Sequence, residues 1–247
     1  MLGLFGRLKR DNGRTHSIRD YQALVRRHLR RHPQNRRLAL ANVIGAETLE
    51  SFDQQGDGHV LVLRHNGLRD GDHVYDLGCG CGRTAQALQR SGWRGHYTGA
   101  DVVPELLAEL EQQCPGYKTA LNYQRTIVAP DASLDMVYAW SVMTHLFPGE
   151  TYLYMIDAFR ALKPGGRLLF SFLELEEPEH DRVWHAELKR WREGQTRQQL
   201  DAFLHRDWIR RFARDAGFEP PVFTDGTDAT NHPPFWQALA VMAKPGV

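Results

Sequence analysis

The sequence predicts an α/β protein whose central sheet is mostly parallel and is covered by helices on both faces. Between residues 73 and 172, short apolar segments alternate with segments of helical periodicity. Parallel strands need long crossover connections, and helices usually provide them. In addition, the first strand segment runs directly into a glycine-rich turn followed by a helix, which is where sheets of this kind bind ligands.

The alternating region contains five strand segments separated by helices. Strands are expected at residues 73–77, 96–100, 121–125, 135–140 and 167–172. Helices are expected at residues 85–89, 104–113 and 150–162, with a proline suited to a first turn at position 104 and a Lys-Pro-Gly-Gly stop signal at 163–166. A polar segment with two tryptophans then covers 174–206, followed by a helix at 207–216 and strands at 221–224 and 237–244.

Residues 1–45 are predicted to form a basic helical extension, and residues 46–247 the main domain. Residues 1–37 contain eleven lysines and arginines but only two acidic residues, although the whole chain has a formal charge of +1. Apolar residues recur at helical spacing between positions 20 and 32, and Pro33 ends that segment. Such an amphipathic helix must pack its apolar stripe on a partner surface.

The composition excludes several classes of protein. With 247 residues, 42% of them hydrophobic and 25% charged, the chain is expected to bury a sizeable core and not to be disordered. Three cysteines cannot build a disulfide framework, and their spacing does not match a zinc site, so no metal is expected. No apolar run approaches the roughly 20 residues of a membrane-spanning helix. A cytoplasmic location is expected.

The glycine-rich turn carries the strongest functional signal. In residues 73–82, Asp76 lies near the end of the strand and three glycines follow at alternate positions. Glycines let the backbone turn sharply and let a ligand lie directly against it. A phosphate-binding P-loop is excluded because no Gly-Lys-Ser/Thr follows, and the dinucleotide fingerprint fails because Arg83 stands where its third glycine should be. Asp76 is placed to bind a cationic or hydroxyl-bearing ligand.

A second acidic residue, Asp101, follows the next strand, at a position from which a carboxylate accepts both hydroxyls of a ribose. Together with the segments 130–137 and 162–169, these features resemble the class I S-adenosylmethionine-dependent methyltransferases, over about residues 70–175. The resemblance implies a Rossmann-like fold with S-adenosylmethionine as the cofactor, and an antiparallel last strand.

The resemblance also implies a set of cofactor-binding residues: Asp76, Gly78, Gly80, Gly82, Asp101, Val102, Ile127 and Ser141. The glycines would lie beneath the methionine and ribose parts, with Asp76 near the methionine amino group and Asp101 on the ribose hydroxyls. Val102 would lie along the adenine, and Ser141 belongs to a segment near the sulfonium. Many family members have an acidic residue for the adenine amino group after the third strand. This sequence has none there, so backbone groups near Thr126 and Ile127 would take its place.

The acceptor of the methyl group is the open question. An alcohol acceptor benefits from a general base, an effect worth about 10² to 10⁴ in rate. His145, after the fourth strand, and His185, in the segment 174–206, are the candidate catalytic residues, although a histidine in either place can also be structural. The segment 224–236 is a second candidate wall for the acceptor. Aromatic residues and histidines suit a sugar, so the expected acceptor is a hydroxyl of a glycan or a related small metabolite.

Two alternative functions remain open at the level of sequence: an RNA methyltransferase, and a non-catalytic cofactor-binding module associated with a membrane or an assembly. The basic arm could contact the anionic inner face of the membrane, could bind nucleic acid, or could pack on its own domain. Nucleic acid is the less expected partner, because few aromatic residues are interleaved with the arginines and no Asn-Pro-Pro-Tyr type motif occurs.

Overall fold

A computed structural model describes residues 12–194 and 201–246, and it describes side chains from residue 18 onward. In chain order, the helices and strands of these residues are α1 Asn12–Arg31, α2 Arg36–Val43, α3 Leu49–His65, β1 His73–Leu77, α4 Arg83–Arg90, β2 His96–Asp101, α5 Pro104–Gln113, β3 Lys118–Leu121, β4 Leu134–Ala139, α6 Pro148–Ala161, β5 Leu162–Phe172, α7 Asp181–Arg192, α8 Arg206–Ala216, β6 Val222–Thr224 and β7 Ala238–Ala243. Short 3-10 turns lie at Met143–His145 and Pro178–His180.

The strands form one sheet in the order β3-β2-β1-β4-β5-β7-β6. The pairings from β3 to β5 are parallel, whereas β7 runs antiparallel to both β5 and β6. The predicted fold class, including the antiparallel last strand, is therefore confirmed. The strand order reverses direction at β1 and β4, so the carboxyl ends of these two strands flank the crevice in which ligands bind in open α/β sheets.

Both faces of the sheet are buried. Val137 of β4 belongs to the apolar cluster that includes α6 and α8 residues, while its neighbours Met136 and Tyr138 belong to the cluster on the α3 and α4 side. Successive residues of a strand point to opposite faces, so a strand covered on both sides is apolar throughout. This explains why β4 shows no polar alternation in the sequence.

The N-terminal helices pack on the domain through a third apolar cluster. Val25 of α1 and Leu40 of α2 are fully buried in it, together with Phe52 of α3 and Leu106 of α5. Ion pairs flank this contact, with Arg26 Nε 2.9 Å from Glu105 Oε1 and Arg36 Nε 3.4 Å from Glu109 Oε2. The apolar stripe of the arm thus packs on the chain's own domain.

Helix α3 is absent from the sequence prediction although the chain begins it with a capping box, in which Thr48 and Ser51 each accept from the other's backbone N–H. Two glycines weaken its helical pattern, but tertiary packing requires them. A Cβ at Gly56 would lie 2.7 Å from the Arg83 carbonyl oxygen, and one at Gly58 would lie 2.4 Å from the Phe235 ring. Close packing of Gly56 against α4 and of Gly58 against Phe235 therefore overrides helix propensity here.

The third strand was predicted three residues too late. It was expected at 121–125, but β3 ends at Leu121, where its parallel pairing with β2 also ends. Asn122 then bonds locally, since its Nδ2 donates to the Thr126 carbonyl at 2.7 Å and its Oδ1 accepts from Gln124 N at 2.8 Å. Such side-chain to backbone bonds compete with strand pairing. The segment 174–206, for which the sequence predicts no helix, contains α7.

None of the described helices combines the length and the apolar character that a bilayer crossing requires. Cys79, Cys81 and Cys114 are buried free thiols. The residues 1–11, on which the expected membrane contact depends, lie outside the described part of the chain.

Candidate active site

The glycine loop crosses the carboxyl end of β1 in a conformation that other residues rarely adopt. Gly78, Gly80 and Gly82 have φ angles of 72°, 57° and 89°. The backbone N–H groups of Gly78 and Cys79 both donate to the Ala100 carbonyl, at 2.7 and 3.1 Å, which fixes the loop to β2. A Cβ at Gly78 would lie only 2.3 Å from Val142 Cγ2. The loop is therefore a bare backbone surface between β1 and the segment after β4.

Asp101 holds this loop from the end of β2. Its Oδ2 accepts from Gly80 N at 3.0 Å and its Oδ1 accepts from Val103 N at 2.9 Å. Burial raises the pKa of Asp101 to about 6, and the backbone N–H donors oppose this shift. Each carboxylate oxygen has further lone pairs. The geometry thus leaves Asp101 able to accept from neighbouring hydroxyls while it positions the glycine loop.

Asp76 is the second buried carboxylate of the site. Tyr97 Oη donates to its Oδ2 at 2.6 Å, and the Thr84 hydroxyl also bonds to it. Burial, together with the nearby negative charge of Asp101, raises the pKa of Asp76 to about 7, while the bond from Tyr97 opposes the shift. Behind Thr84, His59 Nδ1 lies 3.0 Å from its Oγ1. Asp76 is therefore a carboxylate whose ionised form would be stabilised by a cationic ligand.

The affinity for S-adenosylmethionine is expected to fall as the pH drops from 7.5 to 5. In the predicted site the cofactor's ammonium would favour ionised Asp76, whose pKa is raised to about 7, and the ribose would favour ionised Asp101, whose pKa is raised to about 6. Both carboxyls become protonated as the pH falls through these values, so the ligand must then pay for deprotonation. We expect a loss of about tenfold per pH unit below 7, steeper below 6. Calorimetry across this range measures it, and an affinity independent of pH would contradict it.

Two other predicted cofactor residues, Val102 and Ser141, are next to residues that contact this loop. The Val102 carbonyl accepts from Gln22 Nε2 of α1 at 2.9 Å. Ser141 has a φ of 54°, its N–H donates to Ser171 Oγ at 2.7 Å, and its Oγ accepts from Gln237 Nε2 at 2.8 Å. This network fixes Ser141 at the junction of β4, β5 and β7.

Ile127 has a different environment from the one expected for an adenine contact. Its backbone N–H donates to the Asp157 carboxylate, and its carbonyl accepts from Arg160 Nη2 at 2.9 Å. The Ile127 side chain is buried in the core. Both backbone groups of Ile127 are thus engaged with α6, and no local pattern in the sequence indicates these contacts.

The two candidate catalytic histidines lie on separate elements. His145 ends the 3-10 turn after β4, its side chain is 31% exposed, and its Nδ1 lies 3.8 Å from Asp201 Oδ1. His185 is an exposed residue of α7, in a shallow surface depression with Leu188 and Arg192. His145 therefore lies in the segment that follows β4, whereas His185 lies on the separate helix α7.

Helix α1 contributes residues that sequence reasoning did not assign to the site. Burial raises the pKa of the Tyr21 phenol, and the negative charge of Asp101 adds to this shift. Asp76 accepts hydrogen bonds from Tyr97 and Thr84. The positive charge of Arg83 opposes the rise in the pKa of Asp76. The helical spacing of Tyr21 predicted a packed position, but nothing in the sequence indicated which surface it meets.

The donor set fits S-adenosylmethionine. Two buried carboxylates, one at the end of each of two adjacent parallel strands, match a ligand with a ribose diol and a cationic amino acid part. The bare glycine backbone between them permits close approach. Asp101 would hold the ribose, and Asp76 would lie beside the ammonium.

Known proteins share this arrangement. Residues 74–166 match the family described as a methyltransferase domain. The sheet order, the glycine loop and the acidic end of β2 define a class I S-adenosylmethionine-dependent methyltransferase fold. The match covers residues 74–166 of this chain, and the donor set described above fits S-adenosylmethionine as the cofactor.

Similar proteins differ widely in what their names describe. A sterol 24-C-methyltransferase of Gibberella zeae is 30% identical over 153 residues, which are 57% of this chain and 38% of that protein. A demethylmenaquinone methyltransferase of Tropheryma whipplei is 29% identical over 48% of this chain and 49% of its own length. The chain thus spans about half or less of these relatives. Magnesium protoporphyrin IX methyltransferase of Synechocystis, solved with bound SAH, has a TM-score of 0.61 and 16% identity, covering 91% of this chain and 99% of that one.

Proposed function

We propose that this protein transfers the methyl group of S-adenosylmethionine to a hydroxyl of a small molecule, of the sugar or glycan class. The observation that supports this proposal most is the pairing of His145, which follows β4, with Asp201. The distance between His145 Nδ1 and Asp201 Oδ1 is 3.8 Å. A carboxylate beside one ring nitrogen of histidine favours the imidazolium that forms when the other nitrogen takes a proton. A base of this kind is useful for an alcohol acceptor.

The protein's part in the reaction is chiefly positional. Bound S-adenosylmethionine supplies a methyl group that is already electrophilic. Asp76 and Asp101 would orient the cofactor, and the segment containing Ser141 would border the methyl group. His145 would accept the hydroxyl proton at Nε2 as the new C–O bond forms and the C–S bond breaks. Holding the groups in line supplies several kcal/mol in such reactions, about 7–11 at most.

The aromatic residues around Trp140 support a ring-shaped acceptor. The Trp140 and Phe235 rings lie 4.9 Å apart between centroids, at 67°, and His232 lies 5.6 Å from Phe235. Phe235 and His232 belong to the 224–236 segment that the sequence indicated as a wall. Aromatic faces can cover the apolar faces of a sugar ring. The methyltransferases named above act on a sterol, a demethylmenaquinone and a porphyrin, so relatives of this fold accept ring-bearing small molecules.

The N-terminal extension, residues 1–45, is part of the same functional unit in this proposal. Arg26 and Arg36 pair with Glu105 and Glu109, and Arg37 Nη2 donates to Gln86 Oε1 at 2.9 Å. These arginines are turned toward the chain's own acidic and polar groups. This supports a packing role for α1 and α2 over RNA binding, and the protein is proposed to act in the cytoplasm.

A screen of nucleotide sugars and glycans with radiolabelled S-adenosylmethionine tests the function. Once an acceptor is found, His145→Gln is expected to lower kcat about 10²-fold with little change in the affinity for the cofactor, because it removes the base alone. His185→Gln is the matched control and is expected to retain activity, since that residue is exposed on α7. Equal activity of the His145 variant and the wild type would reject the base, and methylation of RNA but no small molecule would reject the acceptor class.

A further inference from the structure

Three acidic side chains outside the predicted cofactor site converge beyond the ends of two strands. Glu174 follows β5 by two residues, Asp225 directly follows β6, and Glu177 precedes the turn Pro178–His180. Since β7 runs antiparallel to both β5 and β6, these two strands end at the same edge of the sheet, which also carries the glycine loop. One carboxylate oxygen from each of the three residues lies within 4.8 Å of the other two. The fold therefore gathers three negative charges in a space the size of one ion.

Glu177 is the member of this cluster that has no counter-charge. Only 6% of its surface is exposed, yet no hydrogen bond or ion pair joins its carboxylate to any residue of the described chain. A glutamate is rarely this buried without a partner, because removing an unpaired charge from water is costly. The two carboxylates beside it add repulsion to this cost. Glu177 therefore requires a positive charge that no described side chain places against it.

A single arginine pairs with the other two carboxylates. Arg206 Nε lies 2.9 Å from Glu174 Oε1 and 3.0 Å from its Oε2, and Arg206 Nη2 donates to Asp225. The guanidinium also lies 5.3 Å from the centroid of the Phe223 ring. Carboxylate oxygens have further lone pairs, and carboxylates that bind metals are commonly held by such hydrogen bonds. Three carboxylates and one guanidinium leave a net charge of −2, which one divalent cation neutralises.

We propose that Glu174, Glu177 and Asp225 bind one divalent cation of the oxygen-liganded class, with calcium as the best fit. Calcium takes carboxylate oxygens at about 2.3–2.6 Å, so oxygens on opposite sides of one ion are about 4.6–5.2 Å apart. The three oxygens, all within 4.8 Å of one another, satisfy this limit. Calcium also tolerates irregular ligand sets, whereas magnesium demands near-octahedral geometry. Asp225 is exposed, so solvent water can supply the remaining ligands.

The sequence predicts no metal site here because its ligands are separated along the chain. Glu174 and Asp225 belong to different strand ends, and only the pairing of β5 and β6 with β7 brings them together. The proposed cation site depends on neither the cofactor nor the methyl acceptor.

Calorimetry on protein freed of metal by a chelator tests the site, with calcium chloride and magnesium chloride as probes. Wild-type protein is expected to bind calcium with a Kd of about 10⁻⁵ to 10⁻³ M, and magnesium more weakly. Glu177→Gln and Asp225→Asn each remove one charged ligand and are expected to weaken calcium binding about 10- to 100-fold. Glu176→Gln is the matched control of equal charge change. Glu176 is exposed, with its Oε1 3.4 Å from His205 Nε2, and its variant is expected to bind calcium like the wild type.

Thermal unfolding separates a cation site from a cluster with a structural role alone. Calcium at about 100 times Kd is expected to raise the wild-type melting temperature by about 5–10 °C. Metal-free Glu177→Gln is expected to melt at or above the metal-free wild type, because it removes an unpaired buried charge, and to gain much less from calcium.

Two results would overturn the proposal: wild-type protein that binds neither cation at about 10⁻³ M, the weak end of natural calcium sites, or calcium binding that both ligand variants keep in full. Asp225 is exposed, so Asp225→Asn decides if Glu177→Gln does not fold. All the variants are expected to bind S-adenosylmethionine like the wild type, so failure of the cation site and failure of the proposed function are distinguishable.

Discussion

Replacing Asp101 with asparagine is expected to lower the affinity for S-adenosylmethionine about 10³-fold. The ribose would lose two hydrogen bonds to an ionised acceptor, each worth about 1.5–3 kcal/mol. The substitution also disturbs the loop, because each carboxylate oxygen now accepts one backbone N–H, from Gly80 and from Val103. An asparagine would place its NH₂ group against one of these donors.

Calorimetry measures the loss, with Asp70→Asn as a control of equal charge change. Asp70 pairs with Arg94 Nη2 at 2.8 Å on the surface, so its substitution is expected to leave cofactor binding unchanged. NAD and ATP serve as ligand controls and are expected not to bind. A variant at position 101 with wild-type affinity would remove Asp101 from the site.

Gly78→Ala is expected to abolish measurable cofactor binding and to lower the free energy of unfolding by about 3 kcal/mol. About 1–2 kcal/mol comes from the left-handed backbone, with a φ of 72°, and about 1–3 kcal/mol from overpacking against Val142, whose Cγ2 would lie 2.3 Å from the new Cβ. Either the loop or the segment after β4 must move, and both would border the cofactor in the proposed site.

Gly71→Ala separates backbone strain from this steric clash. Gly71 has a similar φ of 90°, but no atom lies within 4 Å of the position of its Cβ. This variant is expected to lose only about 1–2 kcal/mol in denaturant unfolding and to bind the cofactor as the wild type does. If both variants bind equally well, the close contact between Gly78 and Val142 has no functional role.

The parts of the site that could be predicted from the sequence are those whose residues lie close together along the chain. Asp76 and the glycine loop are contiguous, and Asp101 ends the adjacent strand, so the rule that parallel strands bind ligands at their carboxyl ends was sufficient. The same holds for the strands, because a strand buried on both faces is apolar along its whole length. The end of β3 was missed because local bonds of Asn122 decide it.

The remaining site residues depend on contacts between distant segments. Ile127 was considered for adenine, but Asp157 and Arg160, some 30 residues later, engage its backbone. Gln22 of α1 bonds to the Val102 carbonyl across 80 positions of sequence, and Arg83 enters the sequence analysis only as the residue that breaks a dinucleotide fingerprint. The burial of Arg83 depends on Ile44, which follows α2, and on Phe52 of α3. No pattern within α4 indicates this burial.

The position of α1 has a kinetic consequence. Gln22 of α1 donates to the Val102 carbonyl, beside the proposed ribose and adenine positions, so in the proposed site the cofactor and its spent product would exchange past this helix. Flanking contacts such as the Arg26–Glu105 pair are surface ion pairs, which contribute about 0–1 kcal/mol each and weaken with salt. The residence time of the product should therefore shorten as ionic strength rises, and turnover limited by product release would become faster in salt.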